Sequence, residues 1–237
     1  MSYEKQKLAS MLQENKISKN DYQLLMSAIE HQEDQSLFAW FINPFQKIAG
    51  YPALILGLLG IILLSLVGVA AHVYFSSILE CLNAANLKNM QVLQPSFLIL
   101  FSQNIINWLV LAAAFMASAL IFGQKRLRII DFLGTVALSR FPYIILSLLI
   151  AVIWQINPSS LDISLAQITS YHFTIAGLMT DFIWQFCFAW QITTYFFALK
   201  VSSGLKGTKL WIAFVCSILL TDAVAHAINV SIMWTAA

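Results

Sequence analysis

From Pro52 to Phe75 the chain reads PALILGLLGIILLSLVGVAAHVYF, without one charged side chain. A helix of that length reaches across a hydrocarbon core of about 30 Å, because each residue adds about 1.5 Å. It is apolar on every face, which suits a lipid solvent and not a protein surface in water. The same pattern recurs downstream. Runs at about 97–122, 132–156 (centred on LSRFPYIILSLLIAVIWQI), 175–199 and 209–234 give five expected spans in all. The expected fold is therefore all-α, a polytopic membrane protein whose five-helix membrane domain covers residues 52–237.

Composition sharpens the division. The chain is 59% hydrophobic and 10% charged, whereas soluble domains carry roughly 25% charged residues. Of its 24 charges, 11 precede residue 51, so a polar head leads into a membrane body. Within residues 1–36, Leu8, Met11 and Leu12, then Tyr22, Leu25 and Ile29, recur at helical spacing and predict a helical hairpin. Ser18 with Asp21 three residues on marks the start of its second helix. No short apolar stretch with a cleavage site occurs there, so no signal peptide is expected. Residues 37–51 are broken by Pro44 and Gly50 and rich in aromatics. Trp40, Phe41, Phe45 and Tyr51 suit the aromatic level of a membrane interface, and the segment is read as an interfacial lead-in.

Basic residues set the expected orientation. Lys5, Lys7, Lys16, Lys19 and Lys47 lie in the head, Lys125, Arg126, Arg128 and Arg140 around the second connection, and Lys200, Lys206 and Lys209 in the fourth. Lys88 alone falls on the other side. That distribution predicts a cytoplasmic amino terminus and an outward carboxyl terminus. Lys47, Lys125, Arg126, Arg128 and Arg140 are candidate contacts for lipid headgroups, with Arg140 expected to snorkel to the cytoplasmic face. A net charge of +2, scattered along the chain, gives no nucleic-acid footprint. Cys81, Cys187 and Cys216 form no CxxC pair and read as small apolar packing residues.

Nucleotide-binding, zinc-protease and serine-hydrolase motifs are missing from the sequence, so no enzyme, cofactor or metal is expected. Chemistry would have to come from polar residues inside the spans, which are costly there. Asp222 and His226 stand four apart on one helix face, Asp222 about 20 Å from Lys209 along the axis. Asp181 lies about 10 Å inside the fourth span, with Gln185 one turn on, and Gln103, Asn104 and Asn107 fall in the outer half of the second. Asp181, Asp222, His226, Gln103, Asn107 and Gln185 thus form a candidate polar layer. It either ties the helices together by hydrogen bonds or lines an outward cavity for an ion, a proton or a lipid headgroup.

Three stretches carry a family resemblance: Pro44-Phe45 with Ile48 and Pro52, then DFLGTVALSRFPYIILSLL, then WQITTYFFALKVSSGLKGTKLWIAFVCSILL. Over about residues 40–235 the chain resembles the YIP-one family, membrane proteins named for interaction with Ypt/Rab GTPases. The resemblance implies five spans and a cytoplasmic amino terminus, and no catalytic residue. The short head and compact loops resemble the bacterial branch, which implies an inner-membrane location. The expected function is non-enzymatic: assembly with itself as a homo-oligomer, or with a cytoplasmic partner at residues 1–36, in membrane organisation or trafficking, the lipid bilayer being its constant partner. The alternative is a small transporter, channel or lipid-moving protein working through the polar layer.

Overall fold

The computed structural model describes residues 8, 11–12, 14, 17–34, 43–46, 48–71, 73–75, 77–79, 96–124, 127–156, 175–236 of the chain. All regular structure among them is helical. The helices are α1 (Lys19–Asp34), α2 (Tyr51–Ala71), α3 (Phe97–Ile121), α4 (Ile129–Leu138), α5 (Phe141–Ile156), α6 (Ile175–Ser203) and α7 (Gly207–Ala236), with a 3-10 turn at Pro44–Gln46. The chain divides into two compact units, Met1–Pro44 and Phe45–Ala237.

In the first unit α1 starts where the sequence predicts. The Asp21 N–H donates to Ser18 Oγ at 3.1 Å, and the Ser18 hydroxyl donates to Asp21 Oδ2 at 2.7 Å. Two of the exposed groups at the helix start are thereby satisfied locally. The other helix of the expected hairpin falls largely outside the described residues, as do residues 37–42 and Lys47 of the lead-in.

In the second unit, four segments among the described residues are long and apolar enough to cross a membrane: Tyr51–Ala71, Phe97–Ile121, Ile129–Val152 and Gly207–Ile232. They match the first, second, third and fifth expected runs. The chain is thus compatible with an integral membrane protein. The fourth run is one continuous helix, α6, of 29 residues. Large apolar side chains face outward all round the unit, among them Leu59, Leu66, Leu148, Leu219 and Leu220. Such a surface is at home in lipid and would be a liability in water.

Two of the expected spans differ in detail. The first is helical only to Ala71, and Val73 to Phe75 continue as non-helical backbone. The third is not one rod but two helices, α4 and α5, parted at Ser139 and Arg140. Pro142 has no N–H to offer the Leu138 carbonyl, so the regular hydrogen-bond ladder is interrupted here. The Tyr143 N–H turns to Arg140 O at 3.1 Å, one residue short of the regular pattern, and the Ser139 carbonyl is released. Gln191 Nε2 and Thr194 Oγ1 of α6 both donate to that carbonyl, at 2.8 and 2.9 Å. The break is tolerated because a neighbouring helix re-satisfies the freed backbone.

The closest helix approach lies between α2 and α4. A Cβ on Gly57 would sit 2.4 Å from Ala137 Cβ, and one on Gly134 2.7 Å from the Gly50 carbonyl. Small residues on both faces let the backbones meet, as in membrane helix pairs. Gly50 adopts φ 65°, which glycine reaches without strain, and its carbonyl accepts from the Leu54 N–H as α2 begins.

Candidate functional site

Three residues of the polar layer expected from the sequence, Gln103, Asn107 and Asp222, meet one target, the non-helical backbone of residues 73–75 and 77–79 that follows α2 (segment 73–79 below). Phe75, Ser77 and Ile78 in it are buried, so its backbone groups need protein partners. Gln103 on α3 accepts the Phe75 N–H through Oε1 at 2.9 Å. Asn107, one turn further along α3, donates from Nδ2 to the carbonyls of Phe75 and Ser77, at 2.9 and 3.3 Å. Asp222 on α7 accepts the Leu79 N–H at 3.0 Å. Tyr143 on α5 donates its hydroxyl to Ile78 O at 3.0 Å.

Two asparagines close the set. Asn229 Nδ2 on α7 donates to Asn107 Oδ1 at 2.9 Å and lies 3.4 Å from Phe75 O. Asn104 Nδ2 donates to Ser65 Oγ on α2 at 3.1 Å, and Ser65 in turn donates to Ile61 O. Helices α2, α3, α5 and α7 are therefore stitched together through a single stretch of irregular backbone.

The structure gathers only part of the expected set. Gln103 and Asn107 are buried and Asp222 is half-buried, all three on segment 73–79. His226 and Gln185 are exposed on their helices, away from the clamp. The side chain of Asp181 lies outside the described residues. Asp222 and His226 share a sequence spacing but not an environment, since α7 turns one toward segment 73–79 and the other outward.

The basic candidates also separate. Arg128 is 76% exposed and pairs with Asp131 at 3.4 Å, on the first turn of α4. Lys47, Lys125 and Arg126 fall outside the described residues. Arg140 departs from the snorkelling expectation: it is 2% exposed, its guanidinium 5.9 Å from the centre of the Tyr143 ring. It sits at the α4–α5 break, eleven residues along from Ile129, where protein and not lipid surrounds it.

Sequence reasoning missed Asn229, Tyr143, Ser65, Gln191 and Thr194. Asn229 was within reach, since it follows Asp222 by two helical turns and so shares its face. Gln191 and Thr194 repeat that signal three residues apart. Among the described residues no three His, Cys, Asp or Glu side chains group as metal ligands, and Cys187 and Cys216 are free thiols. In chemical terms the arrangement is a set of amide, hydroxyl and carboxylate partners matched to backbone N–H and C=O groups. In comparisons with known proteins, the chain matches no family model, no curated sequence and no solved structure.

Proposed function

We propose that the chain is a non-enzymatic integral membrane protein of the YIP-one type, acting by assembly with itself or with a partner in membrane organisation or trafficking. In this reading the chain crosses the membrane five times, α6 being the fourth span, with the amino terminus in the cytoplasm, on the side where the basic residues collect, and the carboxyl terminus outside. An inner-membrane location of bacterial type goes with the short head and compact loops. The observation that carries this reading is the commitment of Gln103, Asn107, Asp222 and Asn229 to holding segment 73–79. Groups bound to backbone in this way build a scaffold, and the head then supplies the surface for partners.

Deleting residues 1–36 tests it. Membrane insertion is expected to persist while self-association or a copurifying partner is lost. A truncated protein that retains every association would sink the reading.

A second reading, a small transporter or lipid-moving protein, draws on the half-buried Asp222 carboxylate inside a spanning helix. Ion and lipid flux measured in vesicles for the wild type and Asp222→Asn decides it. Flux in the wild type that falls with the substitution supports transport through this layer. No wild-type flux, or flux unchanged by it, removes Asp222 from any such path.

A further inference from the structure

The assembly reading leaves open which surface the head engages, and the charges of α1 bear on that question. Helix α1 carries one lysine, Lys19, against four carboxylates, Asp21, Glu30, Glu33 and Asp34. On it Leu24 is 68% exposed and Leu25 44%, side by side. An acidic helix with exposed leucines is repelled by anionic headgroups, so a lipid surface is a poor match. It calls for a basic surface with apolar ground between the charges.

The second unit presents such a surface. Around the α6–α7 turn, Lys200, Lys206 and Lys209 are exposed, and so are Val201 (38%) next to Lys200 and Trp211 (58%) two residues past Lys209. Arg128 lies at the same end, since it follows α3, whose last turns meet the start of α7 through Phe115 and Phe214, ring centres 6.5 Å apart. Gly50, where α2 begins, lies against Asp131 there too. In a neighbouring copy, residues ahead of α2 therefore enter the membrane on the side where these lysines stand.

We infer that α1 docks on the basic α6–α7 turn of a second copy of this chain, its carboxylates facing Lys206 and Lys209 and its leucines covering Val201 and Trp211. The inference rests on the assembly reading and names the partner within it. The contact is heterologous, head of one copy to turn of the next, and so it can extend beyond a pair.

The test uses full-length protein in membranes, with Cys81, Cys187 and Cys216 replaced and two differently tagged copies expressed together. One copy carries Gln23→Cys and the other Thr208→Cys, both exposed positions outside the apolar contact. A disulfide between tagged copies is expected. Reversing the head (Glu30→Lys with Glu33→Lys) or the turn (Lys206→Glu with Lys209→Glu) should each reduce it by about fivefold. Placing the reversed head on the first copy and the reversed turn on the second should restore it. A yield indifferent to both reversals, no disulfide between the differently tagged copies, or no restoration on pairing overturns the inference. Loss of the cross-link in a protein whose association still depends on residues 1–36 would overturn this contact while leaving the assembly reading intact.

Discussion

Asn107 does more than any other single side chain in the clamp. Its amide holds two carbonyls of segment 73–79 and its oxygen takes the amide of Asn229. Asn107→Leu keeps the volume but strands those groups in a dry interior, at a cost of about 1–3 kcal/mol for a buried polar group left alone. Tyr143→Phe removes one donor from Ile78 O and should cost about 1 kcal/mol. His226→Ala, at an exposed position, should change stability by less than about 0.5 kcal/mol. Thermal unfolding of the three purified variants checks the order, and a His226 variant as unstable as the Asn107 variant would contradict it. The same contrast explains how far the site could be read from sequence. Spacing put Gln103, Asn107 and Asp222 at one level, and they meet there. Spacing could not tell that Asp222 turns inward and His226 outward, because that depends on how α7 is rotated against its neighbours.

At the scale of helices, the α2–α4 contact sets the tightest tolerance. Gly57→Val would drive a branched side chain into the Ala137 backbone and force α2 and α4 apart. Overpacking of this kind costs at least about 1–3 kcal/mol. Gly60→Ala, whose added methyl would meet Ile144 Cδ1 at an ordinary 3.5 Å, should be near neutral. Comparing folded yield and melting temperature separates the two, and equal tolerance at both positions would mean that the helices do not pack this closely. Helix locations were legible because hydropathy reports transfer out of water, which holds for every residue of a spanning run. Their ends and breaks were less so. Val73 to Phe75 are as apolar as the helix before them, and only the Gln103 and Asn107 side chains on another helix show why they leave it. Pro142 lies at the break, yet the third run was expected to pass through it, and the Gln191 and Thr194 donors that stabilise the break lie about 50 residues on.

For the molecule as a whole, the clamp carries a consequence for biogenesis. Segment 73–79 follows the first spanning helix, yet two of its partners, Asp222 and Asn229, belong to the last, 143 and 154 residues later in sequence. Chains are made from the amino terminus, so this turn is synthesised long before the groups that complete it. Until α7 inserts, the backbone around Phe75 and Leu79 has lost part of its hydrogen bonding, and the earlier helices wait in an unfinished bundle. A chain ending after Leu205 should therefore insert but remain sensitive to proteolysis near residue 80. Co-expressing α7 as a separate segment should protect it, and full protection of the truncated chain by itself would refute the idea. Maturation of this protein would then be timed by α7, whose insertion completes the hydrogen bonding of a turn made long before it.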